Sequence, residues 1–536
     1  MSTRITKSFR DSMGWLHTWL GLGLSAVLFA VFWTGTLTVF DREIDQWMIP
    51  ELRFPASETV SIDETVLPRL DDINPAVGSE FWVAPPRDRI PAIRLYYEDQ
   101  NGHTREDFLD PQTGATLDLT DSHAGSEFFF HFHYMLHMPG IIGYLVVGIA
   151  AMGMLILIIS GLFIHRKIFQ EFFTFRPKTR TRRASLDFHN LTAMVGLPLH
   201  FLLPLSGLVI FATVYFPWPI SVPYEGNLRA YNAQIEGYAQ HHIDLADRPG
   251  GPVTSLDRFY NRAEEIWRAE EGSATSEPEW MGIFNYGDAN TYVFAERYFP
   301  SRRVAIGPDQ ISFDPQTGEV LNRFSPEPIH HAMNWLEGLH WIQFDHWPLR
   351  WLYFFGGLTG CAMIGSGLIF WMHSRIRKGM SDPFSIRFIR ALSVSAICGV
   401  ILASAAFMIS NRLIPKSISL DVHRHDLEIW AFFAAWIVST LHACLRGKAA
   451  WHEQSFAIGV LALIAVGLNW LTTGDHLITS MTSGLWAVAG VDLMLILTSF
   501  LAGYFALRLS KAFATSASPD ASGAASALPD RPAEQN

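Results

Sequence analysis

Seven stretches of this chain contain no Asp, Glu, Lys or Arg over the length a helix needs to cross a bilayer. They run 12–40, 138–164, 188–224, 351–374, 391–411, 429–445 and 454–474, and an eighth, 477–507, is broken only by Asp492. A spanning helix takes about 20 apolar residues, and inside lipid a single segment can satisfy its own backbone only as a helix. The pattern predicts a mainly α, polytopic membrane protein with eight transmembrane helices: 13–40, 138–165, 187–216, 350–373, 389–411, 427–445, 454–473 and 484–508. The composition, 49% hydrophobic and 17% charged, excludes an ordinary soluble protein of this size. The first run lacks a small-residue cleavage site before Asp41 and is expected to stay as an anchor.

Basic residues set the orientation. Arg4, Lys7 and Arg10 precede the first helix, seven Lys or Arg between 166 and 183 follow the second, five between 375 and 390 follow the fourth, and Arg446 and Lys448 follow the sixth. Every second loop is basic, which by the positive-inside rule places those loops and both termini in the cytoplasm. The segments 41–130 and 225–345 then face outward. The net charge of −11 lies mainly in these outward segments and argues against nucleic-acid binding, leaving membrane lipid as the certain surrounding. Cys361, Cys398 and Cys444 all fall in apolar runs and form no disulfide framework or cysteine metal motif. The end, 512–536, has the composition of a disordered tail.

The chain repeats itself. Aligning His17 with His189 brings Thr34-Gly35 onto Ser206-Gly207, and DPQTG recurs at 110–114 and 314–318. In the register of that turn His137 falls near His340, and SGLFIHRK at 160–167 matches SGLIFWMHSR at 366–375. Each unit reads as a helix in, an outward module and a helix out. The duplication covers 13–375, and the last four helices lie outside it.

Each module is predicted as a small α+β piece. Strands are expected at 93–98, 104–110 and 115–119 in the first, and at 291–297, 302–307, 309–314 and 319–324 in the second, with a helix over 253–271. Asp-Pro-x-x-Gly is turn chemistry, since Pro presets φ and Gly supplies a positive one. DPQTG is therefore read as structure rather than as a site.

LHTWLGL at 16–22, the two DPQTG turns, the Leu-His pairs at 136–137 and 339–340, and SGLFIHRKIFQEFFTFRP at 160–177 running into LDFHN at 186–190 together resemble the PepSY-associated transmembrane family. Within it the chain looks most similar to the inner-membrane ferric-siderophore reductases of iron uptake. That resemblance implies a bacterial inner-membrane protein with periplasmic PepSY-like modules. It also implies b-type haem, two groups in a bundle of this depth, and iron delivered as a ferric siderophore or another ferric chelate.

Histidines are the residues that can serve such chemistry, because haem iron takes neutral imidazole as an axial ligand. His17, His165, His189 and His373 lie near the cytoplasmic face; His131, His133, His137, His330, His331, His340 and His346 lie near the outward one; His200 alone is mid-membrane. A polar group at that depth needs a partner. On one straight helix His189 and His200, eleven residues apart, share a face and lie about 16 Å apart, which would present ligands to two stacked haems. The candidate cofactor ligands are His17, His137, His165, His189, His200 and His340, with His189, His200, His165 and His340 as iron ligands. A lone histidine at a helix end is more often an interfacial residue or a cap than a ligand; the mirrored pairs His17/His189 and His137/His340 weigh against that here.

A rival is a non-haem metal site using His133 and His137, spaced i, i+4, with His330, His331 and His340. No HExxH, P-loop, Gly-x-Ser-x-Gly or dinucleotide fingerprint is present. Electrons must then come from a membrane quinol or a redox-protein partner. Two other functions stay open: a membrane-anchored regulator whose modules bind envelope proteases, and a metal-uptake accessory in which Asp492 is central.

Overall fold

The computed structural model describes residues 7–55, 60–165, 174–177, 179, 181–227, 230–231, 252–271, 276–298, 304–307, 309–324, 328–377, 383–418 and 421–517. The tail beyond 517, much of the basic loop after residue 165 and the first residues of the 302–307 stretch lie outside them. Contacts divide the chain into two units, Met1–Lys378 with Leu477–Gly490, and Gly379–His476 with Val491–Asn536.

The first unit carries the duplication. Helix α1 (Lys7–Leu37) leads into the short α2 (Asp41–Met48), and after the first module a six-residue helix, α4 (Phe130–Met135), precedes α5 (Ile142–Ile164). The second copy begins with α6 (Thr181–Val195) and α7 (Leu197–Ile210) and ends with α9 (Pro328–Trp341) and α10 (Trp347–Arg377). Helix α1 packs along α5, its counterpart α6 packs along α10, and α1 also meets α10.

Helices α6 and α7 form one bent span, with 65° between them. The break falls at Gly196, where Pro198 in the first turn of α7 has no N–H to give back to the preceding turn. The straight helix expected over 187–216 is therefore corrected to a bent one, in which His189 and His200 both still turn to α10, at the carbonyls of Met363 and Gly356. Seven other helices among the described residues are long and apolar enough to cross a membrane.

The two expected modules join into one sheet. Strands β1 (Phe81–Ala84), β2 (Ile93–Glu98) and β3 (Thr104–Leu109) come from the first copy. The second supplies β4 (Trp280–Phe284), β5 (Tyr292–Arg297), β6 (Asp309–Phe313) and β7 (Val320–Phe324). All seven are antiparallel in the order β3-β2-β1-β4-β5-β6-β7, with β1 and β4 paired at the seam, Trp82 opposite Gly282. The segment 115–119 makes only the bridge Leu109–Thr116 where its counterpart forms β7, and 304–307 is not strand.

One face of the sheet buries Phe81, Val83, Leu95, Met281, Ile283, Val293 and Ile311. Two helices cover it: α3 (Ile62–Thr65) and α8 (Asp257–Glu271). On α8, Phe259, Ala263 and Trp267 recur at four-residue spacing and are all buried, the stripe expected of a core-facing helix. The two helices meet start to start. Asp257 accepts from Ser61 Oγ and the Ile62 N–H, while Asp63 accepts from Ser255 Oγ and the Leu256 N–H. Ser-Ile-Asp and Ser-Leu-Asp thus cap each other's helix across the repeat.

Both DPQTG segments are turns, as expected. Asp110 Oδ1 accepts from the N–H groups of Gln112 and Thr113, and Asp314 Oδ1 from those of Gln316 and Thr317. Gly114 has φ +65°, and a Cβ there would lie 2.3 Å from the Thr65 carbonyl oxygen, so conformation and packing both require glycine.

Four spans among the described residues lie wholly or mostly in the second unit. The first is α11 (Pro383–Val394) continued through a π-helical turn, Ser395–Gly399, into α12 (Val400–Leu413). The others are α13 (Arg424–Arg446), α14 (Ala450–Thr473) and α15 (Trp486–Ala517). Its buried polar groups pair with each other: Glu428 accepts from Asn411 Nδ2 and from Arg424, and Asp492 from Asn469 Nδ2.

Candidate functional site

Five serine- or threonine-glycine steps lie in the helices of the first unit: Thr34-Gly35 on α1, Ser160-Gly161 on α5, Ser206-Gly207 on α7, and Thr359-Gly360 and Ser366-Gly367 on α10. In a helix Cβ tilts toward the N-terminus, so the side chain of residue i+4 lies over the carbonyl of residue i. Glycine at i+4 uncovers that carbonyl for a group from a neighbouring helix. An imidazole takes the opening at each of them: His200 at Thr359-Gly360, over the Gly356 carbonyl, and four others at the remaining steps.

His17 Nδ1 lies 3.0 Å from the Leu157 carbonyl oxygen and 3.1 Å from Ser160 Oγ, above Gly161. His189 Nδ1 is 2.7 Å from the Met363 oxygen, above Gly367. His133 Nδ1 is 2.9 Å from the Val31 oxygen, above Gly35. His340 Nδ1 is 2.9 Å from Ser206 Oγ, above Gly207, and Ser206 Oγ in turn donates to the Leu202 and Leu203 carbonyls. A carbonyl can only accept, so in the first three Nδ1 carries the proton and Nε2 keeps its lone pair. Among the described residues, no Nε2 of these four has a hydrogen-bond partner.

The four rings form two pairs. His17 and His189 have centroids 6.3 Å apart with planes at 83°, and His133 and His340 are 5.9 Å apart at 42°. From His17 to Val31 the helix advances about 21 Å at 1.5 Å per residue, so the pairs sit near opposite ends of the bundle. His133/His340 is the sheet-proximal pair and His17/His189 the distal one.

The repeat partner of His340 is thus His133 rather than His137. The turn-based register misplaces it because the path from Gly318 to α9 includes β7, which the first copy lacks. The signal that finds His133 is the Thr-Gly step: Gly35 needs an imidazole as Gly207 does, and α4 supplies one.

Other candidates lie apart from the pairs. His137 stacks on Phe128, with centroids 4.6 Å apart, and its Nε2 meets the Phe128 carbonyl at 2.9 Å. His165 ends α5 with Nδ1 buried and unpartnered among the described residues. His200, 1% exposed, directs Nε2 to the Gly356 oxygen at 3.1 Å and sits edge-on to Phe32. No second histidine ring faces His165 or His200 among the described residues.

A buried ionic cluster fastens this end of the bundle to the sheet. Glu43 on α2 receives Arg89 from the β1–β2 loop and Arg350 from α10; Asp41 receives Arg89 Nη2 at 2.8 Å and Gln343 Nε2 at 3.2 Å. The Arg350 guanidinium also lies over the Phe40 and Trp347 rings, 4.8 and 4.9 Å from their centroids. Burial works against the Arg89 charge, yet Glu43 and then Asp41 hold its pKa above the ordinary value. Asp45 accepts from the N–H groups of Gly125 and Ser126, fixing the turn that leads into α4 and His133. Sequence inspection did not single out these residues; acidic and basic groups just beyond a span read as solvated.

The family model described as "PepSY-associated TM region" matches residues 14–374. An uncharacterized protein of Pseudomonas aeruginosa is 24% identical over 397 residues, covering 72% of this chain and 95% of its own length. The matched segment is the duplicated unit that holds both imidazole pairs, and the chain belongs to the PepSY-associated TM family.

Proposed function

We propose that the first unit is a b-type cytochrome that carries electrons across the membrane and reduces a ferric chelate, a ferric siderophore in particular, on the side of the sheet. The observation that carries this reading is the pairing of His17 with His189 and of His133 with His340. Two imidazoles that held one iron between them, with metal–nitrogen bonds of about 2.0–2.1 Å, would have their ring centroids roughly 6 Å apart. The observed 6.3 and 5.9 Å fit that arrangement. So do the hydrogen bonds at Nδ1, since metal-ligating histidines characteristically donate their other N–H to a carbonyl or similar acceptor.

Haem bound at these pairs would supply a one-electron Fe(III)/Fe(II) couple. The protein residues do the rest. The Leu157, Met363 and Val31 carbonyls fix the tautomer and orientation of their rings, and Ser206 holds His340. Gly35, Gly161, Gly207 and Gly367 let the imidazoles lie close against neighbouring helices. The apolar helices around the pairs exclude water. Electrons come from a membrane quinol or a redox-protein partner, on the side opposite the sheet if the basic loops are cytoplasmic. One electron converts the chelated Fe(III) to Fe(II), which hard oxygen ligands hold less tightly.

The test is anaerobic mixing of the dithionite-reduced, haem-replete protein with a ferric siderophore. Reoxidation of the α band, with ferrous iron appearing one for one, is expected; a band that persists beside excess ferric chelate contradicts the reading.

A further inference from the structure

Two more imidazoles face each other beside the sheet-proximal pair, and neither ring belongs to it. His131 and His137 flank His133 in sequence, with ring centroids 6.0 Å apart. His131 Nδ1 is bonded to the Glu127 carbonyl oxygen at 2.7 Å, and His137 Nε2 to that of Phe128 at 2.9 Å. Each ring is thus anchored through one nitrogen to the turn preceding α4. The other nitrogen of each has no hydrogen-bond partner among the described residues.

The backbone takes an uncommon course to make this pair. Leu136 and His137 are consecutive non-glycine residues in the left-handed region, at φ +55° and +51°. Strain of this kind collects where a side chain must be aimed. Here it folds the chain back so that His137 stacks on Phe128 and faces His131, instead of continuing toward α5. His131 keeps 35% of its side chain exposed, so the pair is open to solvent. Burial pushes the His137 imidazole down to about 4, against its hydrogen bond to Phe128 and together with neighbouring His131 and His123. It is therefore neutral at physiological pH, the form that binds metal.

We propose that His131 and His137 form an acceptor site for a divalent transition-metal ion, with ferrous iron as its ligand. Imidazole suits Fe(II), whereas the hard oxygen donors of a siderophore suit Fe(III). The site would take iron at the moment reduction loosens it from the chelate. Two protein ligands leave coordination positions for water or for the departing chelate's oxygens, so the ion is held in passing. The choice of iron rests on the reductase reading above; the existence of the site does not.

The experiment is anaerobic equilibrium dialysis of the full-length, haem-loaded protein against Fe(II) at pH 7, with Mg(II) in excess. The wild type, His131→Gln, His137→Gln and His103→Gln are compared, the last altering an exposed histidine of the β2–β3 turn. One saturable Fe(II) above haem iron is expected in the wild type and in His103→Gln, with affinity lowered at least tenfold in the other two variants. Identical isotherms for all four proteins, or no saturable binding in the wild type, would overturn the site. Saturable binding by a protein whose reduced haem ignores ferric chelates would keep the site and remove the reductase reading.

Discussion

Replacing Gly35 by alanine would set a methyl carbon 2.6 Å from Cε1 and Nδ1 of His133. Carbon atoms in contact sit about 3.5–4.0 Å apart, so the ring must retreat by roughly 1 Å. The backbone on the other side is fixed by the turn that Asp45 holds. A retreat of that size breaks the 2.9 Å bond to the Val31 carbonyl, a loss of about 0.5–1.5 kcal/mol. Overpacking adds about 1–3 kcal/mol, and the better helix propensity of alanine returns about 1 kcal/mol. The net expectation is destabilisation of about 0.5–3.5 kcal/mol. Gly23, on the same helix with nothing within 4 Å of its Cβ position, is the internal control: Gly23→Ala keeps the propensity gain and none of the cost. The assay is SDS-titration unfolding of the purified variants alongside their haem absorption. Gly35→Ala should lose stability and the spectrum of one haem, and Gly23→Ala neither. If the two variants behave alike, the uncovered carbonyl is not what holds His133.

Glu43→Gln takes from Arg350 the carboxylate that both its terminal nitrogens grip, inside a site where that side chain is 0% exposed. Breaking a buried pair from one side costs about 3–5 kcal/mol, and SDS titration should show a loss of that order, partly recovered by adding Arg350→Met. Tyr97 donates to Asp107 at 2.7 Å, and burial followed by that carboxylate pushes its phenol up to about 12. Because the folded value lies above the unfolded one of about 10, its contribution is whole below pH 10 and fades as pH rises through 12. Tyr97→Phe should remove one late-titrating phenol from the tyrosinate absorbance curve; an unchanged curve refutes the assignment.

The membrane spans were legible because lipid allows little else: an uncharged run of sufficient length must be a helix. The bend at Gly196 was not, since glycine followed by proline near a span centre is compatible with a kink of any size. The DPQTG turns could be read locally, their conformation being set by Asp, Pro and Gly alone. The seam of the sheet could not. Strands β1 and β4 are four and five residues long, and their partners lie some two hundred residues apart in sequence. The same limit governed the site. His17 and His189 stand out because the helices that carry them repeat residue for residue. His133 stayed hidden behind His137 because the loops leading to α4 and α9 differ in length. It is the Ser/Thr-Gly step, a local feature, that restores the match.

Haem stoichiometry tests the central claim most directly. Pyridine-haemochromogen analysis of protein expressed with ample haem should give two haem b per chain for the wild type, and one each for His189→Ala and His340→Ala. His137→Ala should retain two. A wild type without haem, or two haems retained in both His189→Ala and His340→Ala, would contradict the paired-imidazole account.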